Sequence, residues 1–135
     1  IKNMNLYIYI LILFFIFLFS YAIFTVIRLS IKKKIPKQRK AYLNKLFKDI
    51  SIKNWSKEKI IDYDKLYHKI LIEMWYDWNF WDILKLEPNE IWNINKVWEL
   101  HKLRNKLVHD FDLIDEKVLQ KAENEYFREI FFLLK

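Results

Sequence analysis

The hydrophobic pattern of this chain falls into two regimes. From Asn3 to Ile27 there are 25 residues without a charge, dominated by Ile, Leu, Phe and Tyr. As a helix such a run is ~37 Å long at ~1.5 Å per residue, enough to cross a hydrocarbon core of ~30 Å with some tilt. It is apolar on every face, which excludes a surface helix with a wet side. A buried core helix is excluded differently, because 135 residues make no body large enough to surround it. A cleavable signal peptide is the remaining rival, with Ser20 and Ala22 as a small-x-small site. Against it, only Lys2 stands before the run, and the apolar stretch continues past Ala22. An uncleaved anchor over residues 1–28 is therefore expected, with Tyr7, Tyr9 and Tyr21 toward its ends as interfacial aromatics.

Beyond residue 28 the apolar positions recur at helical spacing. Pro36 breaks any helix leaving the anchor. Tyr42, Leu43, Leu46, Phe47 and Ile50 then mark a short amphipathic helix within a connector over residues 29–54. Flanked by Lys40, Lys45 and Lys48, it fits a lipid surface and the face of a domain equally well. A helical domain is expected over residues 55–135. Its first helix starts near Ser56 and carries Ile60, Tyr63, Leu66, Tyr67, Ile70, Leu71 and Met74. A shorter stretch through Trp75, Trp78, Phe80, Trp81, Ile83 and Leu84 follows, punctuated by Pro88 and Asn89. The next helix runs from about Glu90 to His109. Asp110, Phe111 and Asp112 break the pattern, and Asp112 or Asp115 caps a last helix over Glu116 to Leu134. Val118, Leu119, Ala122, Tyr126, Ile130, Phe131 and Leu134 are its expected inward positions. No strand-like alternation occurs, so the expected class is all-α: a transmembrane helix followed by a small antiparallel four-helix bundle.

Charge changes this picture in one respect. The net charge of +7 suggests nucleic acid, but residues 28–59 hold 12 Lys/Arg against 2 Asp/Glu, and residues 60–135 hold 11 against 15. The basic excess is juxtamembrane: Arg28, Lys32, Lys33, Lys34, Lys37, Arg39 and Lys40 crowd one flank of the apolar run. By the positive-inside rule the N-terminus is outside and the C-terminal part cytoplasmic, at the inner membrane. The same cluster is expected to meet anionic lipid headgroups, at ~1 kcal/mol per basic residue near the surface. The domain itself is mildly acidic and lacks the basic footprint of a strong non-specific nucleic-acid binder. Cysteine is absent, which removes disulfides and thiolate chemistry. Glycine is absent, which removes Gly-rich phosphate loops and leaves tight turns to Asn and Asp. The six tryptophans lie between Trp55 and Trp98 and read first as a large aromatic core, second as a partner surface.

The chemistry-bearing segment is His101-Lys102-Leu103-Arg104-Asn105-Lys106-Leu107-Val108-His109. His101, Asn105 and His109 stack at i, i+4, i+8, on a stripe that further back carries Ile94, Val97 and Trp98. Polar groups on a core-directed face need partners, within the bundle or across an interface between copies. Arg104 has Asp64 and Glu99 as candidate partners, and His109 can cap the helix end as a cation. His68, His101 and His109 show no metal-ligand spacing, and Asp62, Asp64 and Asp77 no carboxylate pattern for metal catalysis, so neither metal nor other cofactor is expected.

Arg104, Asn105 and His109 match an R-N-x-x-x-H signature, and through it the chain resembles HEPN domains. Ile60-Ile61-Asp62-Tyr63-Asp64-Lys65-Leu66 and Trp98-Glu99-Leu100-His101-Lys102-Leu103-Arg104-Asn105 further resemble small single-pass bacterial proteins with a membrane helix, a basic stretch and a HEPN-like bundle. The stretch after Met74 departs from those proteins, which are glycine-rich where this chain has Trp75-Tyr76-Asp77-Trp78-Asn79-Phe80. The resemblance implies a HEPN-like bundle and two functional expectations. One is a non-catalytic, membrane-anchored interaction module that presents the bundle to a second copy or another protein. The alternative is a metal-independent endoribonuclease of defence or toxin type. There, at a dimer interface, His109 would serve as general acid or base, Arg104 would hold phosphoryl oxygens and Asn105 would orient them. RNA is a partner only in that second case.

Overall fold

The computed structural model of the chain describes residues 2–30, 34–109 and 113–135, with side chains over 7–27 in the first helix. Lys32, Lys33 and the 110–112 break lie outside the described residues, as does the side chain of Arg28. All regular structure among the described residues is α-helical. The six helices are α1 (Lys2–Ser30), α2 (Lys37–Ser51), α3 (Ser56–Glu73), α4 (Phe80–Lys85), α5 (Ile94–His109) and α6 (Glu116–Leu134). They form two compact units, Ile1–Lys32 and Lys33–Lys135.

The first unit is α1. Its segment Tyr7–Ile27 is long and apolar enough to cross a membrane and has no buried share. Leu, Ile and Phe side chains stand exposed all along it, while its backbone polar groups are bonded within the helix.

In the second unit the four long helices alternate in direction. Arg39–Glu73 and the Lys69–Tyr42 cation–π contact join the start of α2 to the end of α3. Lys59–Glu123 and the Tyr63–Tyr126 ring pair set α6 parallel to α3. Lys96–Glu125 and the Trp92–Phe132 stack set α5 against α6. The core is built where these helices converge on α3, from Ile60, Tyr63, Tyr67 and Ile70 with Leu43, Ile83, Val97 and Ile130. Each such side chain contributes about 1.5–3 kcal/mol by leaving water.

Of the two placements open for the amphipathic helix, α2 takes the second: it packs on the bundle. Leu43 and Ile50 are buried, and the ring of Phe47 lies 4.7 Å from that of Phe127. Helix α5 starts at Ile94, later than Glu90. Asn93 Oδ1 accepts from the backbone N–H of Lys96 and fixes the start, while Pro88 and Ile91 close a turn ahead of it. Ser56 is the first helical residue of α3; Trp55 holds the cap position in extended conformation, without a side-chain bond. Asp115 caps α6 through the N–H of Lys117. Along α6, Val118 and Phe131 are exposed, and Glu129 and Leu133 are buried instead. The buried arc is centred on Tyr126, Ile130 and Leu133, leaving those two positions on its flanks.

Among the described residues Asn89 stands in the turn closed by Pro88 and Ile91, but the left-handed positions fall on neither Asn nor Asp. Trp75 (φ 70°) and Glu87 (φ 47°) take the left-handed region. At Trp75 the N–H of Tyr76 bonds Leu71 O and that of Trp75 bonds Ile72 O, a Schellman closure in the place glycine favours.

Burial, and secondly the nearby Glu125, push the Glu129 carboxyl above its ordinary pKa, while a hydrogen bond with the Asn93 backbone opposes this. A carboxyl with a raised folded-state pKa costs stability once pH exceeds the unfolded value of ~4.3. Glu129→Gln is therefore expected to raise the melting temperature at pH 7, with the gain shrinking as pH falls toward 4. Thermal melts across that range check it; a gain that does not vary with pH would show that folding leaves this carboxyl unshifted.

Candidate functional site

A polar cluster sits where α3, α5 and α6 meet, and it begins with a buried carboxylate. Asp64 on α3 is 4% exposed. Its Oδ1 lies 2.7 Å from His101 Nδ1 on α5 and accepts, also at 2.7 Å, the hydroxyl proton of Tyr126 on α6. Its Oδ2 faces Arg104 Nε at 3.4 Å, an ion pair without hydrogen-bond alignment. The chain of bonds continues outward. Arg104 Nη1 donates to Asn105 Oδ1 at 2.8 Å, and Asn105 Nδ2 lies 3.2 Å from His101 Nε2.

These contacts fix the roles of the groups. Asn105 offers its amide N–H to His101, so Nε2 accepts and the imidazole proton resides on Nδ1, facing Asp64. The Asp64 charge is balanced by Arg104. Burial first, then the charge of Asp64, push the Tyr126 pKa well above the ordinary phenol value, so that hydroxyl remains a donor. With Asp64 and His101 buried and Arg104 and Asn105 half-buried, the cluster is a polar network crossing three helices in which Arg104 Nε alone among these contacts lacks a hydrogen bond.

Its outer edge opens into a recess of about 340 Å³. Arg104 and Asn105 form one side, Lys65 and His68 another, and Asn79, Phe80 and Trp81 a third. Phe80 meets the His101 ring edge-on at 4.6 Å and stacks on His68 at 5.3 Å. His68 Nε2 is held by the carbonyl of Trp78 at 3.0 Å. Helix α4 thus supplies an aromatic wall, and Asn79 Oδ1 caps it through the N–H of Asp82.

Of the three motif residues, Arg104 and Asn105 are brought together and His109 is not. His109 ends α5, its side chain is exposed, and it does not line the recess. At 3.6 residues per turn, five positions place it about 140° around the helix from Arg104. The histidine beside Arg104 and Asn105 is His101. The stacking of His101 with Asn105 was legible, and so was the pairing of Arg104 with Asp64. Asp64 as the centre, and Tyr126 as its second donor, were not: Tyr126 read only as an apolar-face residue.

The basic flank is also divided. Lys34 and Lys37 are exposed. Arg39 is bound by Glu73, and Lys40 Nζ donates to the carbonyl of Lys135 at 3.0 Å, so both hold the bundle together. Among the described residues no three His, Cys, Asp or Glu side chains converge as a metal ion requires.

Neither a family model nor a curated protein nor a solved structure matches this chain.

Proposed function

We propose that the chain is a membrane-anchored helical interaction module of HEPN-like type, carried on the cytoplasmic face of the inner membrane, and that it does not cleave RNA. The span Tyr7–Ile27 and the basic residues that follow it support the anchor and its orientation. One observation carries the non-catalytic reading. Asn105 bonds Arg104 Nη1 and His101, His101 is held by the buried Asp64, and His109 is exposed and does not line the recess. A general base must reach the proton it abstracts, and His101, the histidine beside Arg104 and Asn105, is buried against Asp64. The module's partners are a second copy of the bundle or another cytoplasmic protein, with anionic lipid headgroups beside the anchor.

The endoribonuclease reading keeps one supporting observation: Arg104 and Asn105 edge an open recess that also holds Lys65 and His68. The experiment is RNA cleavage in EDTA by the full chain in detergent, comparing wild type with Arg104→Ala and His109→Ala. The expected result is no cleavage above buffer by any of the three. Cleavage by wild type that falls at least a hundredfold in both variants would establish the nuclease instead, that being the usual scale of acid–base contributions, ~10²–10⁴.

A further inference from the structure

One end of the second unit gathers exposed aromatic rings beside basic side chains. Trp92, 76% exposed, stacks on Phe132 with ring centroids 5.4 Å apart, and Phe131 lies edge-on to Phe132. Phe131 and Phe132 belong to the last turn of α6, and the Lys135 carbonyl just beyond accepts from Lys40 in the first turn of α2. At the end of α3, Trp75 is 77% exposed, two residues after Glu73, which Arg39 holds. Lys37, in the first turn of α2, and Lys34 just before it are exposed.

Isolated exposed apolar residues need no explanation, but the Trp92–Phe132–Phe131 ring group, at the end of the bundle that also presents Trp75, Lys34 and Lys37, does. Trp and Phe with flanking Lys are the composition of a membrane-interface surface: rings enter the headgroup boundary and ammonium groups meet lipid phosphates. Covalent reach favours the same occupant. Lys37, at the start of α2, follows Ile27 by only ten positions in the sequence, so the chain that leaves the apolar span enters the bundle at this end.

We propose that this end of the bundle docks on an anionic lipid surface. Trp92, Phe131, Phe132 and Trp75 enter the headgroup layer, and Lys34 and Lys37 pair with lipid phosphates. The proposal rests on reading Tyr7–Ile27 as a membrane span.

Tryptophan makes it testable, because all six lie in the second unit and none in α1. The full chain is placed, one copy per disc, in nanodiscs containing phosphatidylglycerol and lipid spin-labelled near the headgroup. The expected result is quenched tryptophan emission, with a quenched fraction that falls in Trp92→Phe and persists in Trp55→Phe. Lys34→Ser combined with Lys37→Ser is expected to weaken docking about 30-fold, two basic residues' worth of attraction. All these positions are exposed, so folding is not at stake. A chain that co-elutes with the discs yet shows no quenching, or loses it only in Trp55→Phe, overturns the docking alone. A chain that does not enter discs overturns the span reading, and the docking with it.

Discussion

Asp64→Ala is expected to be the most damaging single substitution in the bundle, costing about 3–5 kcal/mol. Three helices direct donors at this one carboxylate: Tyr126 from α6, and His101 and Arg104 from α5, meet it on α3. Removing it leaves a buried hydroxyl and a buried imidazole N–H without an acceptor, and a partly buried guanidinium without its counter-charge. Each orphaned neutral group costs about 1–3 kcal/mol, because the protein cannot return the hydrogen bond that water gave. For a unit of this size the loss lowers the melting temperature by at least about 12 °C. Tryptophan fluorescence is the right signal, since it reports the second unit without α1. Asp64→Asn retains one acceptor oxygen and falls between the two. A melting temperature for Asp64→Ala within a few degrees of wild type would mean that water already satisfies the cluster, and that the network does not organise the bundle.

The second large effect is expected at Phe80→Ala, about 3–5 kcal/mol as for other buried aromatics. The six residues of α4 are too few to hold a helix by their own backbone bonds. The helix persists because Phe80, Ile83 and Leu84 are buried. Phe80 carries the most ring contact, with Tyr67, His68 and His101 around it. Its truncation removes the aromatic wall of the recess along with the anchor of α4. Hydrogen exchange distinguishes this from general softening: amides of α4 should lose protection first, while those of α3 keep most of theirs. Equal loss in both helices would show that α4 and α3 open as one unit.

How much of this was readable in the chain differs by element. The apolar helix of membrane length was, because a 25-residue uncharged run of Ile, Leu and Phe sets its own local structure. The bounds of α6 were also legible, with a capping Asp115 at one end and continuous apolar spacing to Leu134. The partnership of His101, Asn105 and Arg104 followed from their closeness on one helix, and Asp64 was a candidate partner of Arg104. The relation of Arg104 to His109 did not follow, since a short motif carries no information on where a helix ends and which side chains stay exposed. The placement of α2 was undecided between lipid and protein because both offer the same apolar face, and only the position of Leu43 against the other helices separates them. The turn at Pro88 and Asn89 was legible, but the left-handed positions were not. With no glycine available, Trp75 and Glu87 occupy left-handed positions because the helix closures around them demand it.

The sequence by itself determined what depends on local pattern and composition: an apolar helix of membrane length, a basic flank, an all-helical remainder and a polar stripe on its penultimate helix. Tertiary structure alone decided what depends on residues far apart in the chain. Asp64 and Tyr126, 62 positions apart, meet only because α3 and α6 run in parallel through a shared core. That meeting ties a stripe of motif residues to a buried carboxylate, because a carboxylate leaves water only where several donors from different helices replace it.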